Sequence, residues 1–179
     1  MSMLFNCVWR VWVCVDRTTA IGGMLNSYLA SASVKLDVHA VHLLFSANRW
    51  ETAAVIHTHL GFGTHVIIDR YSASGVAYSV ANGLDVGWCM STECGLPVPD
   101  LVVYLHVTPE TAEKRGGFGA ERYEKKEFQE RVAKAYDAMS THISKWTKID
   151  GNGTTEEVAA RVHNSVDVCL HTLAPTASF

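Results

Sequence analysis

The stretch His65-Val66-Ile67-Ile68-Asp69-Arg70-Tyr71-Ser72-Ala73-Ser74-Gly75 decides the fold of this chain. Its run of β-branched aliphatic residues has no helical period and predicts a short buried strand. An acid, a guanidinium and a phenol follow at once, and then small residues that can open a helix. Ligands of open α/β sheets bind at the carboxyl ends of strands. The triplet Asp69-Arg70-Tyr71 therefore indicates a site for an anion and its counter-ion, with a plain strand end and helix cap as the alternative interpretation.

Length and composition favour a single intracellular domain that covers residues 1–179. The formal net charge of −3 argues against a nucleic-acid binder. The cysteines are odd in number and form no Cys-x-x-Cys pair, which favours reduced thiols in an intracellular protein over a disulfide framework. The cytoplasm is the expected location, with the nucleus or an organelle as alternatives. The histidines lack a compact ligand set, which disfavours a structural metal site. The apolar segment 1–15 is too short to span a bilayer and lacks a secretory pattern, so we expect no membrane partner.

Strand and helix patterns alternate along the chain, which predicts a parallel sheet with right-handed crossovers. The expected strands are 11–15, 66–68, 101–107 and 147–151. The expected helices are 18–29, 36–60, 72–82, 85–94, 108–115, 121–146 and 154–170, followed by a frayed tail at 172–179. Thr18 or Thr19, Asp37, Thr108 and Thr154 are the expected helix caps.

Three further groups join the triplet as candidate binding residues. Arg17 lies at the first strand-to-helix junction, although a surface arginine is the plainer interpretation. Phe45 and Arg49 lie one turn apart along one edge of the 36–60 helix, where a ring and a guanidinium can hold a base and a phosphate or carbonyl. A core Phe covered by an Arg stem is the alternative. The glycine-rich segment 114–123 suggests a lid that closes on phosphates, or else a mobile surface loop.

These segments, taken in order, resemble the successive motifs of the thymidylate kinase family. The motifs are Asp16-Arg17-Thr18-Thr19-Ala20-Ile21-Gly22, Leu43-Leu44-Phe45-Ser46-Ala47-Asn48-Arg49-Trp50-Glu51, Asp69-Arg70-Tyr71-Ser72-Ala73-Ser74-Gly75-Val76-Ala77, Gly95-Leu96-Pro97-Val98-Pro99-Asp100-Leu101 and Arg115-Gly116-Gly117-Phe118-Gly119-Ala120-Glu121-Arg122-Tyr123-Glu124. The resemblance covers residues 16–149 and implies a P-loop kinase-type parallel sheet with flanking helices. It also implies an enzyme that phosphorylates dTMP with ATP and Mg²⁺ to give dTDP, and a homodimer formed through helices.

The resemblance further implies a role for each candidate residue in the dTMP site. Phe45 would stack on thymine and Arg49 would bind a base carbonyl. Arg17 and Arg70 would grip the phosphate of dTMP. The remaining residues of the pyrimidine and deoxyribose pocket would be Ser74, Gly75, Tyr78 and Tyr123.

The catalytic and ATP-binding residues are implied in the same way. Asp69 would lie near Mg²⁺ and the reacting phosphates, with Arg70 and Arg115 as the other catalytic residues. Arg115 and Arg122 would approach ATP from the lid. The segment near Asp150 would lie by the adenine.

The chain departs from the family at its start. Family members open with a strand, a glycine-rich phosphate loop ending in Gly-Lys-Ser/Thr, and a helix, whereas only residues 1–14 stand in that place here. No lysine of the chain follows a glycine, so the resemblance predicts that the first strand–P-loop–helix unit is missing and ATP binding is impaired. Unpaired strand edges are expected as a consequence. A truncated gene model and a genuinely divergent product both fit. The alternative to an active kinase is a non-catalytic fragment that binds dTMP or docks on a partner.

Overall fold

The computed structural model describes residues 10–13, 16–30, 35–115 and 126–173. Its strands are β1 Arg10–Val13, β2 His65–Ile68, β3 Val102–His106 and β4 Trp146–Asp150. Its helices are α1 Ala20–Ala30, α2 Val38–Gly61, α3 Ser72–Ala81, α4 Val86–Ser91, α5 Pro109–Lys114, α6 Lys126–Met139 and α7 Thr155–Thr172. None of the helices in these ranges is long and apolar enough to cross a membrane.

The described strands form two parallel pairs. β1 pairs with β2, with Val13 opposite Ile68, and β3 pairs with β4, with His106 opposite Asp150. Within the described residues these are two separate two-stranded sheets, and neither β2 nor β3 has a second neighbour. A two-stranded sheet is marginal by itself, so the helices must supply most of the packing.

The main apolar core lies between α3 and α6. The buried members of this core are Val76, Ala77, Ala81, Leu84, Cys89, Phe128, Val132, Ala135 and Met139. β2 leads into α3, and Tyr104 of β3 stacks on Tyr136 of α6 with ring centroids 4.5 Å apart. The layer formed by α3 and α6 therefore connects the two strand pairs.

Side-chain caps begin four helices where the sequence expects them. Asp37 accepts a hydrogen bond from the His39 amide at the start of α2, and Thr108 and Thr154 cap α5 and α7. α7 carries a full capping box, in which Thr154 and Glu157 bond each other's backbone amides. At α1, the Thr19 hydroxyl accepts from the Gly22 amide at 2.9 Å.

Three predicted boundaries are wrong, and the first is the end of α4, which lies at Ser91 rather than at residue 94. α6 ends at Met139 rather than at residue 146, and Trp146 instead begins β4. The hydroxyls of Ser140 and Thr141 donate to the carbonyls of Asp137 and Ala138, at 2.6 and 2.9 Å, and so compete with helix continuation. α7 extends through Thr172, so the predicted tail begins too early, and residues 174–179 lie outside the described ranges.

Candidate active site

A polar turn follows β1 and carries Arg17. The Asp16 carboxylate accepts from the amide and hydroxyl of Thr18, at 2.8 and 2.6 Å, and these bonds lower the pKa of Asp16. The side chain of Asn48, buried on α2, donates to the Asp16 carbonyl at 3.0 Å. The turn is thereby tied to the middle of α2. Arg17 is exposed, and its Nη1 donates to Asn26 Oδ1 on α1 at 3.1 Å.

A second charged turn follows β2. Arg70 is exposed and has a backbone φ of +60°, a conformation that non-glycine residues rarely adopt. Its Nη1 donates to the hydroxyl of Tyr78 on α3 at 3.2 Å. The exposed carboxylate of Asp69 accepts no hydrogen bond within the described part of the chain. Because β1 and β2 run parallel side by side, Arg17, Asp69 and Arg70 follow the same edge of one strand pair.

α2 supplies the aromatic and buried cationic groups of this edge. Phe45 is half-buried, and Arg49 lies one turn later. Arg49 is buried, and its Nε and Nη2 form a two-pronged ion pair with Glu93, with the Nε–Oε2 bond at 2.7 Å. Arg49, which was expected from the sequence to bind a base carbonyl, is therefore already paired with Glu93 in the structure.

α3 begins against the Arg49 guanidinium. A Cβ placed on Gly75 would lie 2.7 Å from both Arg49 Nη1 and Nη2, so a larger residue here would require the guanidinium to shift. Ser74 is half-buried and lies near the hydroxyl of Tyr136, whose pKa burial raises and Ser74 lowers to a smaller extent. The rings of Tyr78 and Phe128 lie 5.9 Å apart. Ser74 and Tyr78 thus lie on the side of α3 that faces α6, whereas Gly75 lies against Arg49 of α2.

A separate cluster lies at the carboxyl ends of β3 and β4. Arg115 Nη2 donates to the carbonyls of Gly151 and Gly153, at 2.7 and 3.2 Å. The Asp150 carboxylate accepts from the amide and side chain of Asn152, which lowers the pKa of Asp150. The structure therefore brings Arg115 to the turn after Asp150. Arg122 and Tyr123 lie outside the described residues.

A buried polar network connects α2, α3 and the turn after α4. His42 is fully buried, with Nδ1 2.7 Å from Ser79 Oγ and Nε2 2.9 Å from Thr92 Oγ1. Its Nε2 also lies 3.8 Å from Glu93. Burial lowers the pKa of His42, which favours the neutral imidazole. Sequence reasoning missed Glu93 and Thr92 as members of the site because they come 43 or more positions after Arg49.

The model of the thymidylate kinase family matches residues 12–162 of the chain. The chain belongs to the thymidylate kinase family. A thymidylate kinase from Arabidopsis thaliana is 47% identical over 157 residues, which are 88% of this chain and 59% of the relative. One from Dictyostelium discoideum is 45% identical over 152 residues, covering 85% and 68%, and the human one is 42% identical over 145 residues, covering 80% and 68%.

A solved thymidylate kinase structure supports the same assignment of fold. The structure from Candida albicans matches with a TM-score of 0.80 and 33% identity, over 91% of this chain and 80% of that chain. The predicted P-loop kinase-type α/β fold is thereby confirmed. The chain spans 59% of the length of the Arabidopsis relative.

Few of the described residues are suited to hold the Mg²⁺ ion that the family resemblance implies. No group of three or more His, Cys, Asp or Glu side chains suited to a metal occurs among the described residues. Mg²⁺ in kinases is commonly held by one or two carboxylates, with substrate phosphates and waters as the other ligands. The exposed Asp69 carboxylate at the strand edge fits that limited role.

Proposed function

We propose that this chain is a dTMP kinase, which transfers the γ-phosphoryl group of ATP to dTMP and yields dTDP and ADP. The observation that carries the proposal is the shared edge of β1 and β2, where Arg17, Asp69 and Arg70 follow neighbouring strands. Phosphoryl transfer depends chiefly on positioned phosphates and dispersed positive charge. A set of two arginines and one carboxylate at a strand edge provides these elements.

The dTMP site is proposed on this edge. Arg17 and Arg70 bind the phosphate, since guanidinium groups match phosphate oxygens in pairs. Phe45 stacks on the thymine, and Arg49 donates to a base carbonyl. Ser74, Gly75, Tyr78 and Tyr123 complete the pocket for the base and deoxyribose.

Asp69 is proposed to hold Mg²⁺ beside the phosphates. The ion, when bound, neutralises charge that develops on the transferred group. The Asp69→Asn variant is expected to lose turnover by about 100-fold or more while keeping its fold and its affinity for dTMP. An unchanged rate in that variant, measured as ADP release, would show that Asp69 does not hold the metal.

The ATP side is proposed at the carboxyl ends of β3 and β4. Arg115 is held there by the Gly151 and Gly153 carbonyls, close to the turn after Asp150. With Arg122, it would contact the phosphates of ATP, and the turn after Asp150 would lie by the adenine. A reaction that uses cellular ATP agrees with the expected cytoplasmic location.

A second candidate is a non-catalytic protein that binds dTMP. The specific observation in its favour is that no Gly-Lys-Ser/Thr sequence occurs in the 179 residues. That lysine and hydroxyl normally contact the ATP phosphates and the metal. The dTMP site on β1 and β2 does not depend on that loop, so dTMP binding would persist without phosphoryl transfer.

A coupled assay of ADP release with dTMP, ATP and Mg²⁺ tests the first candidate. We expect dTMP-dependent turnover that falls about 100-fold in Arg70→Ala, because a charge-assisted phosphate contact is lost. Lys145→Ala is the matched control, since Lys145 is an exposed cation paired with Asp100 and remote from the site. Turnover at background level, or turnover that Arg70→Ala leaves unchanged, contradicts the kinase assignment.

Calorimetry with dTMP separates the two candidates. Loss of a base–aromatic stack costs about 1–3 kcal/mol, so Phe45→Ala should weaken dTMP binding about 5- to 150-fold. Binding of dTMP without turnover supports the non-catalytic protein. If dTMP does not bind the wild-type chain at all, both candidates fail.

The exposed side of α2 supports a homodimer. Leu43 and Trp50 are 48% and 43% exposed and lie two turns apart on the same face. We expect a dimer in sedimentation that Leu43→Glu converts to monomer. Val168→Glu, at an exposed apolar position on α7, is the control that should leave the dimer intact. A wild-type monomer at high concentration contradicts the proposal.

A further inference from the structure

The ion pair between Arg49 and Glu93 is unusually well enclosed. The Arg49 and Glu93 side chains are only 6% and 8% exposed, and two nitrogens of the guanidinium meet the two carboxylate oxygens. A buried ion pair adds little net stability, because desolvation offsets most of the attraction. Its two-pronged geometry does fix the plane and direction of the guanidinium. The pair is therefore better explained by its effect on the orientation of the Arg49 guanidinium than by a contribution to stability.

The turn that carries Glu93 is bonded to two buried residues of α2. The Thr92 hydroxyl lies 3.4 Å from Glu93 Oε1, and the Thr92 carbonyl accepts from Ser46 Oγ at 2.9 Å. His42 Nε2 contacts the same turn. The turn that carries Glu93 is therefore anchored to α2 through Ser46 and His42, by contacts that do not involve Arg49. The backbone position of Glu93 does not depend on the guanidinium.

The opposite side of the guanidinium meets the start of α3. Gly75 leaves room for Arg49 only because it has no side chain. The Nη1 group donates to no acceptor in the described part of the chain, whereas Nε and one N–H of Nη2 donate to Glu93. Both N–H groups of Nη1 can thus donate to a ligand.

We propose that Glu93 is a positioning residue for base recognition, which holds Arg49 so that Nη1 donates to a carbonyl of the dTMP pyrimidine. This inference rests on the proposed dTMP site. It separates two tasks within that site. Arg17 and Arg70 bind the phosphate without help from Glu93, and only recognition of the base depends on it.

The test compares two ligands, dTMP and 2-deoxyribose 5-phosphate, which lacks the base. In Glu93→Gln, calorimetry should show dTMP binding weakened on the order of tenfold, with the affinity for 2-deoxyribose 5-phosphate unchanged. Glu93→Asp keeps the charge and should recover part of the loss. Gly75→Ala displaces the guanidinium from its other side and should likewise weaken binding of dTMP but not of 2-deoxyribose 5-phosphate. This variant replaces Glu93→Gln in the test if Glu93→Gln does not fold.

Asp85→Ala controls for a merely structural effect. Asp85 caps α4, the helix just before the Glu93 turn, so this variant lowers stability without touching Arg49. Its ratio of the two affinities should equal that of the wild type. If Glu93→Gln weakens both ligands equally or leaves dTMP binding unchanged, this inference is overturned while the dTMP site stands. If the wild-type chain binds neither ligand, both are overturned.

Discussion

Arg70 lies at the strand edge in a strained backbone conformation. A left-handed φ of +60° costs a residue with a Cβ about 1 kcal/mol relative to glycine. Such strain persists where the surroundings impose it, commonly at binding sites. Here the bond to Tyr78 and the helix start that follows hold the guanidinium in place. The conformation turns Arg70 away from the path of β2 and toward α3.

Two substitutions of Arg70 separate strain from binding. The free energy of unfolding of Arg70→Gly should be about 1 kcal/mol higher than that of Arg70→Ala, because glycine adopts the left-handed region without steric conflict. Both variants should lose affinity for dTMP to the same extent. Urea unfolding and calorimetry measure the two effects. Equal stabilities of the Gly and Ala variants would show that the backbone at this position is unstrained.

Tyr71 contributes a buried hydroxyl that has no hydrogen-bond partner among the described residues. Burial raises the pKa of Tyr71 to about 12, so the hydroxyl stays protonated. An unpaired buried hydroxyl costs about 1–3 kcal/mol. Tyr71→Phe should therefore raise the free energy of unfolding by about 1 kcal/mol, as measured in urea. Tyr78→Phe, which removes a hydroxyl that is bonded to Arg70, should lower it instead.

At the scale of single residues, the sequence predicted which charged residues follow the strands, but it did not predict which residues they contact. The charged residues after β2 were predictable because they directly follow an apolar run. The partner of Arg49 was not predictable, because Glu93 lies 44 positions away and only the packing of α2 against the turn after α4 brings the two together. The conformation of Arg70 could not be predicted either, since its sequence neighbours contain no turn signal.

Among the secondary-structure elements, α2 and α3 are coupled by the neutral His42. The imidazole bonds Ser79 on α3 and Thr92 in the turn after α4. Nearby Glu93 raises its pKa and Arg49 lowers it, but burial is the largest effect and the net pKa is lowered. The folded protein therefore resists protonation of this ring. Acid should loosen the contact between these helices.

The sign of the pH dependence follows from this shift. Below about pH 6.5, the ordinary pKa of histidine, the unfolded chain takes up the proton more readily than the folded chain. The contribution of His42 to stability is thus complete above about pH 6.5 and is lost as the pH falls toward its lowered folded-state pKa. Thermal melts at about pH 5 and about pH 8 should show a larger loss in the wild type than in His42→Gln. An equal loss in the two proteins would contradict this assignment.

Elements with a local cap were predicted well from the sequence. Asp37, Thr108 and Thr154 each begin a helix where their side chains were expected to do so. The end of α6 was not predicted, because the apolar period continues beyond Met139. Hydroxyl groups at Ser140 and Thr141 end the helix by bonding its last carbonyls, and a hydrophobic pattern does not register that competition.

For the molecule as a whole, the β3–β4 pair is covered unevenly. Leu105 and Ile149 are neighbours in the register, yet Leu105 is 45% exposed and Ile149 only 6%. Parallel sheets are normally covered on both faces. Ile149→Ala should cost about 2–5 kcal/mol, whereas Leu105→Ala should cost less than about 1 kcal/mol. Urea unfolding measures the loss in free energy of unfolding for each variant. Equal losses would show that another segment or molecule covers Leu105 in solution.

The joining of the strand pairs by α3 and α6 also has a kinetic consequence. The phosphoryl acceptor would be bound on β1 and β2 and the donor on β3 and β4, with no described strand between them. Ala77 of α3 and Ala135 of α6 are small, almost fully buried members of the core between the two helices. A bulkier residue there would widen the gap that the phosphoryl group has to cross. Turnover would then slow while each nucleotide still bound with its normal affinity.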